Sequence, residues 1–347
     1  MNAAVLTEYG KIEWQTVPVP EINDDQVLIK VGAVGICGSD LHIYNGDFAP
    51  RTQTPMIQGH EFAGTIVKIG KNVKKYKIGD RAAVDPIIPC GQCAACKLGH
   101  YPACTNLKIL GVDVNGGFGE YVAADEHMLF RLPPEISDKH GALVELFSIG
   151  FHACNRAGLQ KDDTAVIWGS GRVGQAILQA ARTKTKNTIF MIDVLDERLN
   201  IAANAFENLV TINADDADPV AKIMEVTKGR GVDVAFEAVG HARSTQHAPH
   251  PVRGCVQSIR GAGTVCVLGL ADEPAPLVMK ELIWREAKIV ASRVSHGEFA
   301  EAIHHLKHGH LKPDAIVSAD IPAADANQAF ALLETEPEKY LKIVMHF

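Results

Sequence analysis

The pattern of apolar and polar positions changes character partway along the chain. In the first part, runs such as Val27-Leu28-Ile29-Lys30-Val31 and Gly64-Thr65-Ile66-Val67-Lys68-Ile69 mix β-branched residues with nearby turn residues, as half-buried strands do. From Asp163 onward, short apolar runs alternate with helical stretches. Thr164–Trp168 predicts a strand, followed by a Gly-rich turn and a helix over Val173–Ala181. Further strands are expected at Thr188–Ile192, Leu209–Ile212, Val232–Phe236 and Thr264–Leu268, with helices at Glu197–Phe206 and Pro219–Lys228. Repeated β-α-β units predict a parallel sheet with helices on both faces. The segment after Arg285 is too short for a third core, so it is expected to rejoin the first lobe. The expected division is 1–152, 153–287, and 288–347 returning to the first domain.

Composition narrows the class. The 347 residues are 47% hydrophobic and 22% charged, which excludes a disordered, collagen-like or disulfide-dense chain. A net charge of −7 gives no sign of a nucleic-acid or anionic-membrane partner. No apolar run is long enough to span a membrane, and the opening residues lack a secretory pattern. A soluble cytoplasmic protein is expected.

The eight cysteines are unevenly placed. Cys90, Cys93, Cys96 and Cys104 fall within fifteen residues, while Cys154, Cys255 and Cys266 are scattered and read as buried apolar thiols. In a reducing compartment a tight cysteine cluster points to metal rather than disulfides. Four closely spaced thiolates suit tetrahedral zinc in a closed structural site. Iron–sulfur ligation is the alternative that the spacing leaves open. A redox dithiol is a further alternative; as a zinc site the four-cysteine lobe holds a loop in shape and performs no chemistry, because no coordination position is left open.

Gly169-Ser170-Gly171-Arg172-Val173-Gly174 reads G-x-G-x-x-G between an apolar strand and a helical stretch. In that context Gly169 allows a tight turn, Gly171 a close approach to pyrophosphate, and Gly174 close helix–strand packing. The helix N-terminus beginning at Arg172 and Val173 offers N–H groups to phosphates. Asp193, nineteen residues past Gly174, ends the next strand, where a carboxylate binds ribose hydroxyls and repels a 2′-phosphate. NAD is therefore expected over NADP, with Arg198 adding a positive charge on the adenine side.

Gly35-Ile36-Cys37-Gly38-Ser39-Asp40-Leu41-His42 brings a thiol, a hydroxyl and an imidazole together, and Gly59-His60-Glu61 adds an adjacent His–Glu pair. An enzyme that moves hydride from an alcohol needs a Lewis acid beside its nicotinamide, and this residue set can hold one. The run Gly59-His60-Glu61-x2-Gly64-x5-Gly70-x2-Val73 resembles the signature of the zinc-containing medium-chain alcohol dehydrogenases. With the four-cysteine lobe, the Gly-rich turn and Phe236-Glu237-Ala238-Val239-Gly240, the resemblance spans essentially the whole chain. It is closest to the sorbitol (polyol), L-threonine and sugar-acid dehydrogenase branch.

The resemblance implies an α/β protein: a GroES-like β-rich catalytic domain holding two zincs, and a doubly wound Rossmann domain holding NAD, with the active site in the cleft between them. It implies Cys37, His60 and Glu145 as ligands of the catalytic zinc, with Glu61 either ligating or standing just behind the metal. The family usually has Glu-Pro-Leu where this chain has Glu145-Leu146-Phe147, which alters the loop around that ligand. Ser39 and His42 match a proton relay, and Arg293 matches a residue that contacts substrate hydroxyls or cofactor. A homodimer or homotetramer is implied, with Leu282-Ile283-Trp284 and Ile289-Val290 near a sheet edge. The expected reaction takes hydride from a secondary alcohol to NAD⁺; an L-threonine-type or sugar-acid dehydrogenase is the alternative to a neutral-polyol one. A non-catalytic NAD-binding regulator is the rival from another class, although such a module has no need of an open metal site beside a relay. Tyr44, Phe48 and Phe118 line a pocket or simply pack. His241, His247, His250, His304, His305, His308 and His310 are expected to be solvated.

Overall fold

A computed structural model describes residues 1–240 and 245–347; His241 lies outside the described residues. The chain forms two compact units, one of Met1–Glu145, Phe299–Gly309 and Val317–Phe347, the other of Leu146–Glu298 and His310–Ile316. Among the described residues no helix is long and apolar enough to cross a membrane.

The first unit is the GroES-like β lobe. Its seven-stranded sheet runs Leu129–Arg131, Arg81–Val84, Glu61–Ile69, Gln26–Gly35, Lys342–His346 and Val317–Pro322, with Tyr121–Asp125 also paired to Gln26–Gly35. A second sheet joins Lys11–Thr16, Asn2–Glu8 and Met56–Ile57. Leu6, Ile29, Phe62, Phe118 and Phe330 are fully buried in one core. Phe118 meets Phe330 edge-on at 6.1 Å, and the Tyr44 ring lies 5.1 Å from Phe330 while its hydroxyl donates to the Gly10 carbonyl. Phe118 and Tyr44 therefore serve packing.

One register matters for the site. Gly35, the last residue of its strand, pairs with Glu61 on one side and Val344 on the other. Two strand ends thus meet beside the middle of a third strand, and a Cβ on Gly35 would collide with the Glu61 carboxylate and press on the Lys342 stem.

The second unit is a doubly wound Rossmann sheet. Six parallel strands lie in the order Leu209–Asn213, Ile189–Asp193, Ala165–Trp168, Val232–Glu237, Ile259–Val267 and Lys288–Ala291. That is the 3-2-1-4-5-6 order of dinucleotide-binding sheets. The apolar runs at its centre are buried on both faces, as parallel strands require. Lys288–Ala291, which the sequence assigned to the returning segment, instead hydrogen-bonds to Ile259–Val267 as the sixth strand, with Val265 opposite Ile289. Its adjacent β-branched residues Ile289 and Val290 extend the sheet, and the chain leaves this unit after Glu298 rather than after 287. At the other end the division falls within helix Val144–Ala157, after Glu145 rather than after 152.

Asp233 locks the start of the central strands. Its carboxylate accepts from the Thr164 amide and hydroxyl, both at 2.8 Å, and from Arg230 at 3.2 Å and Arg260 at 2.5 Å. Burial opposes its charge, but Arg230, Arg260 and Thr164 together hold the carboxyl far below the ordinary aspartate range. Its contribution is therefore present above the unfolded value near ~4 and fades as pH falls toward the folded one. Asp233→Asn should cost about 2 kcal/mol at neutral pH, the scale of lost charge-assisted bonds. In urea melts the gap between wild type and variant should narrow below pH ~4; a gap independent of pH would refute the ionic contribution.

Candidate active site

Cys37 caps helix Gly38–Tyr44, and Asp40 in that helix reaches back to accept the Cys37 amide at 2.8 Å. This reciprocal cap fixes the backbone that carries the thiol. Asp40 also accepts from the Gly59 amide at 3.3 Å, and Gln58 donates to the Asp40 carbonyl at 2.9 Å. The cysteine turn and the strand entering His60 are thereby tied together. Gly59 sits at φ +91° against the Phe118 ring, where a side chain would have no room.

These ties bring Cys37, His60 and Glu61 into one cluster whose ligand atoms lie within 4.8 Å of one another. Ser39 Oγ lies 3.3 Å from His60 Nε2, and His60 Nδ1 lies 3.7 Å from Asp40 Oδ1. Glu145, in the first turn of helix Val144–Ala157, is not in that cluster but is buried where His60, Glu61, Cys37 and Lys342 act on its charge. Burial, with Glu61 and Cys37, pushes its carboxyl well above the usual range. Burial works against a charged His60, yet Asp40 and Cys37 hold its pKa well above normal.

Sequence reading missed Lys342. Its ammonium is fully buried, bonded to Glu61 Oε2 and donating to the Ile36 carbonyl at 3.0 Å. This ammonium and the His60 imidazole together face four groups able to carry negative charge: Cys37, Asp40, Glu61 and Glu145. Buried charge of one sign demands a counter-charge. A thiolate, an imidazole and carboxylates are also the donor set that zinc takes, so the residues fit a catalytic zinc on both counts.

The second metal site fits as well. The sulfurs of Cys90, Cys93, Cys96 and Cys104 all lie within 4.8 Å of one another, and none is in a disulfide. Cys90 donates its amide to Cys104 Sγ at 3.3 Å. Amides of Cys96 and Thr105 draw the Cys93 thiol down to about 6, while burial and the neighbouring thiols push Cys96 up to about 12. Four sulfurs converging this way fit the closed four-cysteine set that structural zinc takes.

The glycine turn takes its expected place between Ala165–Trp168 and helix Arg172–Lys184. A Cβ on Gly174 would drive into the Gly169 carbonyl, so helix and strand can approach only with glycine there. Gly171 is the helix cap, and the Arg198 guanidinium lies 3.9 Å from where its Cβ would stand. Asp193 ends its strand and accepts from the Ser170 amide at 2.6 Å and the Val194 and Leu195 amides at 2.8 and 3.1 Å.

The remaining expectations divide. His42 lies one turn beyond Ser39 on the same helix, 2.8 Å from Asp47. Arg293 is exposed in the second unit, just past strand Lys288–Ala291. Among the described residues His304, His305, His308 and His310 form no three-ligand cluster, and His308 closes the end of its helix by bonding the His304 carbonyl at 2.7 Å.

Comparison with known proteins agrees with this architecture. Residues 23–134 match the alcohol dehydrogenase GroES-like domain, and residues 173–308 match the zinc-binding dehydrogenase family. The chain is 40% identical to sorbitol dehydrogenase of Bacillus subtilis, over 79% of this chain and 76% of that one. It is 33% identical to L-idonate 5-dehydrogenase of Vitis vinifera, over 83% and 78% respectively. An alcohol dehydrogenase from Escherichia coli CFT073, solved with NADH, superposes with a TM-score of 0.90 at 26% identity, covering 100% of this chain and 99% of that one. Matches over both halves, a four-cysteine lobe and a Cys–His–Glu cluster establish that the chain belongs to the zinc-containing medium-chain alcohol dehydrogenase family and is an oxidoreductase.

Proposed function

We propose that this enzyme oxidises a secondary alcohol of the polyol or sugar-acid class, with NAD⁺ as hydride acceptor. The observation that carries the reading is the Cys37–His60–Glu61 cluster, with His60 and Glu61 buried and Ser39 against it. Cys37, His60 and Glu145 hold the catalytic zinc, and Glu61, held by Lys342, stands beside it. When bound, zinc supplies the Lewis acidity that lowers the pKa of a substrate hydroxyl, and the nicotinamide supplies the hydride acceptor. Ser39 Oγ receives the hydroxyl proton, and His42 passes it to solvent, a task suited to an imidazole at neutral pH.

Support for NAD comes from Asp193, whose carboxylate stands at the strand end beside the glycine turn and repels a 2′-phosphate. Structural neighbours were solved with either dinucleotide, one with NADH and one with NADP, so the choice rests on Asp193. The sorbitol and L-idonate dehydrogenases among the relatives support a substrate bearing several hydroxyls. Arg293 serves substrate hydroxyls or a carboxylate through its planar fork.

Exposed apolar side chains on helix Met279–Arg285 and the neighbouring edge strand, including Ile283 at 68%, Trp284 at 74% and Ile289 at 42%, support self-association along that edge. Eight cysteines without a disulfide support a cytoplasmic location.

The test is a panel of neutral polyols, sugar acids and L-threonine offered with NAD⁺ and NADP⁺. Reduction of NAD⁺ should exceed that of NADP⁺ by at least about tenfold in kcat/KM with a polyol or sugar acid. Reduction of neither dinucleotide by any of these alcohols would overturn the reading, and a preference for NADP⁺ would overturn the role of Asp193.

A further inference from the structure

Asp47 lies just past helix Gly38–Tyr44 and grips His42 at two points. Its backbone amide donates to the His42 carbonyl at 2.9 Å, and its Oδ2 lies 2.8 Å from His42 Nδ1. Phe48, the next residue, lays its ring parallel to the imidazole, with 6° between the planes and 5.9 Å between centroids. Gly46 makes the turn at φ +83°, donating to the Ile43 carbonyl at 3.0 Å. The imidazole is thus held in orientation by a carboxylate at one nitrogen and a ring on its face.

We propose that Asp47 is a positioning residue that fixes the tautomer of His42 for proton relay; the inference rests on the relay role given to His42 above. The chemistry follows from the acceptor at Nδ1. A carboxylate offers lone pairs and no proton, so a neutral His42 facing it carries its hydrogen on Nδ1. The lone pair is then on Nε2, the nitrogen that must accept a proton. When Nε2 takes the proton, Nδ1–H stays on Asp47, and the resulting imidazolium is paired with a carboxylate. Nε2 then returns the same proton to water, restoring the neutral tautomer with no net change on the protein. Carboxylate–imidazole pairs set tautomer and ring orientation in the same way elsewhere.

Both side chains are about half exposed, 45% for His42 and 53% for Asp47, so the pair adds little to stability. Asp47→Ala should therefore fold normally. It should lower kcat about tenfold while the KM for NAD⁺ changes less than about twofold, since the pair acts on proton release rather than on binding. Nitrogen-15 spectra of His42 should change from a single Nδ1–H tautomer to a mixture rich in Nε2–H, as free imidazoles show. Asp47→Glu should recover part of both signals. An unchanged tautomer in Asp47→Ala, or an unchanged kcat alongside a crippled His42→Ala, would overturn the role of Asp47. An unimpaired His42→Ala would instead overturn the relay itself, so the two failures are separable.

Discussion

Glu145→Ala should lower turnover by about a thousandfold, the loss expected when a Lewis-acid centre is no longer held. Metal analysis should fall from two zincs per chain to one, because the four-cysteine site is built from other residues. Dinucleotide binding, followed by calorimetry, should survive, since the glycine turn and Asp193 are untouched. The physical case lies in the burial of this carboxyl, which leaves it 4% exposed. Burial pushes its pKa well above normal, and the charges of Glu61 and Cys37 push the same way. Such a group ionises when a cation is brought against it. Glu61 already has that cation in Lys342, at a buried contact where neither side chain is exposed to solvent. Glu145 and Glu61 therefore stand in different charge environments, although both act on Cys37. If Glu145→Ala retains two zincs and full activity, Glu61 is the third ligand, as its position in the cluster allows.

The sequence carried the parts of the site that are local in the chain. The strand–turn–helix at Gly169–Gly174 and the Cys90–Cys104 lobe are short-range patterns, because each is folded by its own neighbours. Cys37 and His60 each sit in a short glycine-bearing run that the sequence singled out, and the structure ties the two runs together through Asp40, three residues past Cys37. Lys342 was not readable. It meets Glu61 across 281 residues, through a strand pairing that only the closed sheet creates, and a lone lysine in a short apolar run gives no local sign of burial. Gly35 held half of that signal, since its missing side chain makes room for the ion pair, but a glycine at a strand end has many explanations. The boundary at 288 was misplaced for a similar reason. Lys288–Ala291 is a weak strand on its own pattern, and it is defined by the edge of Ile259–Val267 that it covers. That partner strand begins at Ile259, five residues before the predicted Thr264, because polar and glycine residues at 260–263 mask the start of the apolar run.

Cys96→Ser should remove the other zinc and leave the catalytic one. Cys96 is the member whose thiol is pushed highest: burial together with the neighbouring thiols takes it up to about 12. Without a cation, four sulfurs within 4.8 Å cannot all ionise together, and weak contacts such as the 4.0 Å approach of Cys90 and Cys96 take the place of metal bonds. A bound zinc ion lets all four ionise, so the loop's fold and the metal's affinity are one free energy. The segment has little else to hold it. Helix Ala94–Lys97 is a single turn, and Leu98 stands 83% exposed beside it. A serine in place of Cys96 should therefore open this lobe locally while both larger sheets persist. The thermal midpoint should fall by about 5–10 °C, the shift that a loss of roughly 3 kcal/mol produces in a unit of this size. Hydrogen exchange should rise over residues 90–104 first, before any change in the strands of the parallel sheet. A chelator applied to the wild type should reproduce the exchange pattern, and zinc should reverse it in wild type but not in the variant. If Cys96→Ser keeps two zincs and the parent melting temperature, the four sulfurs do not act as one site, and the lobe is held by its backbone turns alone.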